Sequence, residues 1–300
     1  MAPGEGASQP TVFVSRKLPD AAMELLQRIS GPEKIEVWPE DLPPSPRDLA
    51  RGLVHARGLL CLLTDRIDAT LLDSAPELHA ISQMAVGYDN IDVAECTRRG
   101  IAVGNTPGVL ADTTADLAFG LLLAAARRLP QAERSLRAGE WRTWSPLQFT
   151  GADVYSRTLG IIGMGQIGRG MARRAKGFGM RILYTGPRPV KPAEQETRAA
   201  YVSLETLLQE SDFVSLHAPL NPQTRGLIGA AQIGLMKSSA FLINTSRGAL
   251  LDEHALAEAL SSGRLAGAGL DVYEHEPLPP DNPLLKLDNV VLLPHIGSAS

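Results

Sequence analysis

The chain is poor in cysteine, which excludes one class of small secreted proteins. Its 300 residues contain two cysteines, Cys61 and Cys96, and no Cys-x-x-Cys pair. Two thiols in so long a chain do not form the disulfide framework of a secreted scaffold. Cys61 lies in the apolar run 58–63, where we interpret it as a small buried hydrophobic residue. This usage fits a reducing compartment, and we expect a cytoplasmic protein.

Excess positive charge and long apolar stretches are also missing. The formal net charge is −4, so the chain lacks the basic surface of a nucleic-acid-binding protein. The longest apolar run, 117–126, has ten residues, whereas a membrane-spanning helix needs about 20. Residues 1–10 have neither a basic start nor an apolar core, so we expect a disordered tail and not a secretory signal. We therefore expect no nucleic-acid or membrane partner, and we predict no metal site.

The sequence does have a regular alternation of short apolar runs and helix-like segments. Runs rich in Val, Ile and Leu, without clean alternation, predict strands that are covered on both faces. Alternation of such strands with helices predicts an α/β protein with parallel, doubly wound sheets. The predicted strands are 11–15, 59–63, 80–86, 101–103, 158–162, 181–184, 213–216, 240–243, 266–270 and 290–293, and helices are predicted at 21–29, 166–178 and 253–261.

The sheet-forming pattern begins twice, at Thr11 and at Thr158, and 300 residues is long for one core. We therefore predict two Rossmann-like domains, with chain crossings near Pro107 and Pro294. The predicted boundaries are 11–107 plus 288–300 for a substrate and catalytic domain, and 108–287 for a dinucleotide-binding domain.

A long apolar helix lies between the two starts of the pattern. Residues 113–116 match a capping box at its beginning, and Pro130 ends or kinks it. A helix that is apolar on nearly every face is buried, here between domains or between subunits. Trp141 and Trp144 follow in a loop-like segment, where both local packing and a subunit contact are open interpretations. We expect a homodimer, because the apolar helix and these tryptophans need cover.

A glycine fingerprint directly follows the predicted strand at 158–162. Gly163, Gly165 and Gly168 form the pattern G-x-G-x-x-G, and a helix-like segment comes next. The first glycine permits a tight turn, the second lets the backbone approach a pyrophosphate, and the third lets helix and strand pack closely. Amides at the helix start then face the phosphates. This strand–turn–helix context predicts a dinucleotide site rather than a glycine-rich structural turn.

The end of the next strand predicts which dinucleotide binds. An NAD site usually has an Asp or Glu there, which binds the ribose 2′-hydroxyl. After Tyr184 this chain has no acid before Glu194, but it has Arg188 and Lys191. A 2′-phosphate is held by an arginine, although a solvated loop cation is the alternative interpretation of Arg188. We predict NADP(H) as the preferred cofactor, with NAD(H) as the alternative.

Polar residues follow three predicted strands near the end of the chain. Ligands of open α/β sheets bind at the carboxyl ends of the strands. A lone histidine at a strand end is more often structural, but this group beside a dinucleotide fingerprint predicts a catalytic site. The residues are Arg247 after the strand at 240–243, Asp271 and Glu276 after 266–270, and His295 after 290–293.

These segments resemble the D-isomer-specific 2-hydroxyacid dehydrogenases over nearly the whole chain. Within that family, the chain is most similar to glyoxylate/hydroxypyruvate reductases of the animal type. The family resemblance lies in segments 86–92, 105–108, 163–168, 215–220, 244–248, 269–277 and 294–298. The similarity to the animal-type reductases lies in 58–63 with Asp65, in Trp141 and Trp144, and in 184–186 and 293–298.

The resemblance implies reduction of hydroxypyruvate to D-glycerate and of glyoxylate to glycolate, with a hydride from the nicotinamide. His295 would donate the proton, and Glu276 would bind its other ring nitrogen and favour the charged imidazole. Arg247 would bind the substrate carboxylate and polarise the keto oxygen. The backbone amides of Val86 and Gly87 would also hold the carboxylate.

The resemblance also implies a set of cofactor contacts. Ser298 would contact the substrate or the nicotinamide region, and Asp271 the amide end of the nicotinamide. His217 would line the cofactor and not act as an acid, and His275 is interpreted as solvated. The predicted cofactor-binding residues are Gly163, Gly165, Gln166, Ile167, Gly168, Gly186, Arg188, Pro219, Thr245, Asp271 and Gly297.

Two alternatives stay open beside this function. Corepressors of the C-terminal-binding-protein type share the fold, bind dinucleotide and dock peptides, but they resemble NADH binders, which the missing acid after Tyr184 disfavours. The second alternative is a dehydrogenase of the same family that acts on D-lactate, 3-phosphoglycerate or a bulkier 2-keto acid. Family members continue past the position of Ser300 with a helix that completes the first domain, and we expect that domain to lack it here.

Overall fold

A computed structural model of the chain describes residues 11–300, so the predicted tail at 1–10 lies outside the described residues. The chain divides into two units between Val109 and Leu110, close to the predicted crossing near Pro107. Each unit contains its own parallel β-sheet. The predicted fold class, α/β with two Rossmann-like parallel sheets, is confirmed.

The first unit is built on five short parallel strands. Their order across the sheet is β2-β1-β3-β4-β5. The core under the sheet contains the strand residues Phe13, Leu59 and Ile81, packed against residues of the connecting helices. In chain order the elements are β1 (Val12–Val14), α1 (Asp20–Ser30), β2 (Ile35–Val37), α2 (Pro46–Leu53), β3 (Gly58–Cys61), α3 (Ala69–Asp73), β4 (Ala80–Gln83), α4 (Val93–Arg98) and β5 (Ala102–Gly104).

The second unit begins with two helices and then forms a seven-stranded parallel sheet. In chain order the elements are α5 (Ala111–Ala126), α6 (Leu129–Arg137), β6 (Thr158–Ile162), α7 (Gln166–Gly177), β7 (Arg181–Thr185), α8 (Lys191–Thr197), β8 (Ala200–Tyr201), α9 (Leu204–Glu210), β9 (Phe213–Leu216), α10 (Ala230–Leu235), β10 (Phe241–Asn244), α11 (Glu253–Ser261), β11 (Gly267–Leu270) and β12 (Val290–Leu292).

The strands of this second sheet follow the order β12-β11-β10-β9-β6-β7-β8. The chain winds outward in both directions from β6, so the crevice between β6 and β9 is the topological switch point of the sheet. Neighbouring strand residues face opposite sides, and each side has its own apolar core: Leu242 lies in one cluster and Ile243 in the other. The carboxyl ends of β6, β9, β10, β11 and β12 meet at one edge of the sheet.

The long apolar helix is α5, and it is buried within its own unit. It packs against α7 and against β10, β11 and β12. The predicted end near Pro130 is confirmed, since α5 ends at Ala126 and Arg128 adopts a left-handed conformation before α6 begins. The predicted capping box at 113–116 is wrong: the N-cap of α5 is Leu110, three residues before Thr113, and no side chain caps the helix. Asp116 instead accepts a hydrogen bond from the Arg174 guanidinium of α7 at 2.7 Å.

The predicted assignment of residues 288–300 to the first domain is also wrong. β12 pairs in parallel with β11, with Leu270 beside Leu292, and the second unit extends from Leu110 to Ser300. The apolar pattern of 290–293 identifies a strand but does not specify which sheet it joins.

Within residues 11–300, no helix is both long enough and apolar enough to span a membrane. The same described residues contain no group of three or more His, Cys, Asp or Glu side chains arranged to hold a metal ion.

Candidate active site

The predicted catalytic histidine lies on the turn that follows β12, next to the predicted glutamate. His295 Nδ1 is 2.7 Å from Glu276 Oε2, and the two side chains are 27% and 35% exposed. The second carboxylate oxygen, Oε1, accepts a hydrogen bond from the Tyr273 amide at 2.9 Å. Glu276 therefore orients the imidazole, whose Nε2 is left available for chemistry.

The electrostatics of this pair favour an ionised carboxylate. Burial tends to raise the pKa of Glu276, but the hydrogen bonds from His295 and the Tyr273 amide, with the positive charge of Arg247, outweigh burial and hold that pKa below its ordinary value. An ionised carboxylate can only accept a hydrogen bond, so Nδ1 of His295 carries the proton that it donates to Glu276.

A buried carboxylate holds the turn that carries His295. Asp271 is fully buried at the end of β11, and its two oxygens accept hydrogen bonds from the amides of Ile296 (2.8 Å) and Gly297 (2.7 Å). Burial raises the pKa of Asp271, and these two amide bonds and the charge of His295 oppose that rise. His295 itself has a φ of 55°, in the left-handed region, which is uncommon for a residue with a side chain. Asp271 thus stabilises an otherwise unfavourable turn.

Arg247 lies on a tight turn between β10 and a short 3-10 helix, Gly248–Leu250. The buried side chain of Asn244 fastens this turn, since it donates to the Arg247 carbonyl (2.9 Å) and accepts from the Ser246 amide (3.0 Å). A Cβ on Gly248 would lie 1.8 Å from the carbonyl carbon of Tyr273. Only glycine permits this approach, which brings the Arg247 turn against the loop that carries Glu276.

The glycine fingerprint forms the turn between β6 and α7. Gly163 has a φ of 100°, and a Cβ there would lie 2.6 Å from the Ala218 amide nitrogen. A Cβ on Gly168 would lie 2.1 Å from the Gly163 carbonyl oxygen, so the helix packs closely on the turn. Gly165 has open space where its Cβ would be. Within the described chain, the amides of Gln166 and Ile167 at the start of α7 donate no hydrogen bond.

Two buried polar atoms near the same edge also lack partners. Thr245 is 7% exposed and its Oγ1 is unsatisfied, as is the buried Nδ1 of His217, among the residues that the structure describes. His217 Nε2 is 2.9 Å from Ser215 Oγ. Buried polar atoms normally have a partner. Free helix amides, an open glycine cradle and orphaned polar atoms together fit a bound dinucleotide.

The loop after β7 carries Arg188 and is fastened by two tyrosines. The buried Tyr184 hydroxyl accepts from the Val190 amide and donates to Glu194, both at 2.6 Å. The Tyr201 hydroxyl donates to the carbonyl of Gly186 at 2.9 Å. Glu194, the first acid after the strand, is thus occupied by Tyr184. Arg188 is exposed and has no hydrogen bond or ion pair with any of residues 11–300.

The other predicted residues occupy less defined positions. Val86 and Gly87 belong to the first unit, in the loop after β4. Ser298 is exposed beyond the His295 turn, and Pro219 is exposed after His217. His275 is exposed, in agreement with its interpretation as a solvated residue.

Sequence reasoning missed three residues that build the site. Asn244 and Gly248 shape the Arg247 turn. Tyr273 contacts both segments of the His295–Glu276 pair: its amide donates to Glu276, and its hydroxyl donates to the carbonyl of Leu293 (2.8 Å), two residues before His295. A strand-end asparagine is a recognised turn signal. The close approach at Gly248 has no comparable signal, because it depends on contacts distant in sequence.

The chain is similar to known proteins over nearly its whole length. The family described as "D-isomer specific 2-hydroxyacid dehydrogenase, NAD binding domain" matches residues 119–297. A glyoxylate reductase of Korarchaeum cryptofilum is 53% identical over 293 residues, which cover 97% of this chain and 87% of that protein. The crystal structure of TT0316 protein from Thermus thermophilus superposes with a TM-score of 0.87 and 43% identity, covering 98% of this chain and 91% of that one.

A second solved structure is that of an NADPH-dependent glyoxylate/hydroxypyruvate reductase from Sinorhizobium meliloti, in complex with NADP and malonate. It is 34% identical, with a TM-score of 0.83, and the match covers 98% of this chain and 88% of that chain.

The fold, the glycine fingerprint and these relatives define an NAD(P)-dependent oxidoreductase that acts on CH–OH donors. The chain belongs to the D-isomer-specific 2-hydroxyacid dehydrogenases, as the sequence resemblance predicted. It uses a nicotinamide dinucleotide and a small 2-hydroxy or 2-keto acid. The narrower similarity to animal-type reductases stays a prediction.

The half-buried His217 predicts an acid-sensitive stability. Burial lowers its pKa from an ordinary 6.5 to about 4. Between these values the unfolded chain binds more protons than the folded one, so stability falls as the pH drops from 6.5 towards 4. We expect His217→Gln to remove up to about 3 kcal/mol of this pH-dependent loss. Denaturant unfolding at pH 7 and pH 4.5 measures it.

The matched control for that experiment is His254→Gln, since the His254 side chain is 80% exposed. Its unfolding free energy should change with pH as in the wild type. Equal pH dependence in wild type and His217→Gln would contradict the prediction.

Proposed function

We propose that this enzyme reduces glyoxylate to glycolate and hydroxypyruvate to D-glycerate with NADP(H), and that His295 donates the proton. The observation that carries the proposal is the 2.7 Å contact between His295 and Glu276, beside the glycine fingerprint at the ligand-binding edge of the sheet. The named activity of the Korarchaeum relative, at 53% identity, supports glyoxylate as a substrate. The Sinorhizobium reductase supports hydroxypyruvate and NADP.

The chain's own residues divide the chemistry between them. The bound nicotinamide supplies the hydride, which the substrate receives at its keto carbon. His295 Nε2 gives its proton to the keto oxygen as negative charge develops there, and Glu276 stabilises the protonated imidazole before transfer. Arg247 stabilises the same developing charge and binds the carboxylate. In the reverse direction, neutral His295 accepts the proton from the hydroxyl group.

The backbone amides of Val86 and Gly87 complete the proposed binding of the substrate carboxylate. Ser298, which follows the His295 turn, is proposed to contact the substrate or the nicotinamide. Asp271 is proposed to contact the carboxamide of the nicotinamide, although both of its oxygens also hold the turn of His295. A carboxylate oxygen has a second lone pair, so both contacts can exist together.

The charge around the loop at 186–190 supports NADP(H) over NAD(H). Glu194 already accepts a hydrogen bond from Tyr184, so it does not serve as the usual acceptor for a ribose 2′-hydroxyl. Arg188 offers a cation with five donors to a 2′-phosphate. NAD(H) remains the weaker proposed cofactor.

Removal of the proposed proton donor should lower turnover and leave cofactor binding nearly intact. We expect His295→Ala to lower kcat for glyoxylate reduction by about 10²–10⁴-fold, the usual contribution of a general acid, with NADPH affinity nearly unchanged. Reduction consumes one proton and oxidation releases one, so alkaline pH should favour the oxidation direction in the wild type. Steady-state rates in both directions and fluorescence titration with NADPH measure this.

His275→Ala is the matched control, since His275 is the exposed neighbour of Glu276. It should retain wild-type turnover. Equal loss of turnover and of NADPH binding in His295→Ala would assign His295 a structural role instead.

Removal of the Arg188 guanidinium tests the cofactor proposal. We expect Arg188→Ala to raise KM for NADPH by roughly 10–100-fold, the value of one lost charge-assisted hydrogen bond, and to leave KM for NADH within about twofold. Arg198→Ala, at the other end of α8 and also exposed, is the control and should alter neither constant. An equal rise for both cofactors would contradict a role in reading the 2′-phosphate.

Homodimer formation is proposed from the exposed apolar residues after α6. Trp141, Trp144 and Leu147 are 57%, 77% and 83% exposed, a concentration of apolar surface that is typical of a subunit interface. Both cysteines are free and buried, which supports the proposed cytoplasmic location.

The double variant Trp141→Ser/Trp144→Ser should shift the mass in solution from dimer to monomer, because it removes this apolar surface. Sedimentation velocity at low micromolar concentration measures the mass. The control is Leu42→Ser, which changes a 73% exposed residue of the first unit and should leave the dimer intact. A monomeric wild type would contradict the proposal.

A further inference from the structure

The loop after β4 has two consecutive carbonyl groups fastened from one side. The Ala85 carbonyl accepts a hydrogen bond from the Thr106 amide at 3.0 Å, and the Val86 carbonyl accepts one from the Asn105 side-chain amide at 2.8 Å. Both donors belong to the segment that directly follows β5. Two adjacent peptide groups are therefore held in fixed orientations by two adjacent residues.

Fixing these carbonyls also fixes the amides of Val86 and Gly87. A trans peptide points its N–H opposite to its C=O, so both N–H groups point away from the Asn105–Thr106 segment. Neither N–H donates a hydrogen bond to any residue in the described range 11–300. Two consecutive free amides on one side of a loop can bind an anion.

A buried side chain fastens the next carbonyl of the loop. Gln83 has no exposed surface, and its Nε2 donates to the Gly87 carbonyl at 3.2 Å and to Asn90 Oδ1 at 2.8 Å. Its Oε1 accepts from the Cys61 thiol at 3.0 Å. Asn90 in turn donates to the Asp65 carbonyl at 2.8 Å. A satisfied buried network of this kind is rigid, so the loop has little freedom to turn its amides away.

We infer that Asn105 and Gln83 are positioning residues for the substrate carboxylate. They hold the Val86 and Gly87 peptides so that the two N–H groups are aligned for the carboxylate before it binds. The inference rests on the proposed function, in which these amides receive a carboxylate. Asn105 and Gln83 themselves touch neither the substrate nor the cofactor in this role.

Asn105 is the better residue to test, because it is exposed. Its bond to the Val86 carbonyl is readily replaced by water, so its loss should cost the fold little. Gln83 is fully buried, and substitutions there risk unfolding. The Asn105→Ala and Asn105→Asp variants both remove the donor, and Asn105→Asp keeps the shape of the side chain.

We expect both Asn105 variants to raise KM for glyoxylate about tenfold, the value of one well-oriented hydrogen bond. The value of kcat should stay within about threefold of wild type, and KM for NADPH should not change. Thr97→Val is the matched control. It also removes one hydrogen bond from a side chain to a backbone carbonyl, that of Val93 (2.8 Å), but this bond lies on α4, away from the loop. It should leave all three constants unchanged.

A substrate analogue without a carboxylate separates positioning from general damage. Methyl glyoxylate has the same carbonyl but no negative charge. The Asn105 variants should process it with the wild-type KM, so their preference for glyoxylate over the ester should shrink about tenfold. A merely structural role would raise KM for both compounds equally.

The outcomes distinguish this inference from the proposed function. A raised KM for glyoxylate alone, in both variants, supports it. If the wild type is active and both variants keep its KM for glyoxylate, the inference is overturned and the proposed function stands. The same holds if KM rises in Asn105→Asp only, because that rise would be an effect of the added charge. A wild-type enzyme that does not reduce glyoxylate overturns the proposed function and this inference with it.

Discussion

The parallel pairing of β10, β11 and β12 is the constraint on which the site depends. The register places Asn244, Leu270 and Leu292 side by side, so the chain leaves all three strands at one edge. The Asp271 amide then donates to the Asn244 carbonyl and the Leu293 amide to that of Leu270, which extends the pairing just beyond the strands. Arg247, Glu276 and His295 therefore follow neighbouring strands at the same edge of the sheet, although they are widely separated in sequence.

The loops at this edge are held by buried polar groups more than by apolar packing. Asp271 is a fully buried carboxylate, which is costly to bury without partners, and it offsets that cost with two backbone amides. Those amides belong to the turn in which His295 takes a left-handed conformation. Glu276 is held in the same way by the Tyr273 amide. The orientation of the His295 imidazole thus depends on the Asp271 carboxylate, which acts through the backbone and does not need to contact the substrate.

Much of the fold was predictable because covered strands have a strong sequence signal. Ten strands were predicted within a few residues, whereas β2 and β8 were missed. Both missed strands lie at sheet edges, and neither contains a buried residue, so the apolar run that marks a strand is absent. The assignment of 290–293 to the wrong domain has a different cause. Strand pairing is a long-range choice, and the local pattern carries no information about it.

The candidate site was predictable to the extent that chemistry fixes residue types. Arg247, Glu276 and His295 were identified by strand ends and by family resemblance, and the structure brings the last two into contact. The roles of Gly248, Tyr273 and Asn105 were not predictable, because each depends on an approach between segments that are distant in the sequence. Asp271 was identified as a cofactor contact, but its bonds to the His295 turn emerge only from the folded chain.

Transfer of a labelled hydride tests the central claim most directly. The enzyme would be supplied with NADPH that carries two deuterium atoms on nicotinamide C4, together with glyoxylate, and the product would be analysed by mass spectrometry and by proton NMR. Direct transfer predicts glycolate with one deuterium on C2 and one equivalent of NADP⁺ formed. Unlabelled glycolate, or oxidation of NADPH without glycolate, would contradict reduction of a 2-keto acid by this site.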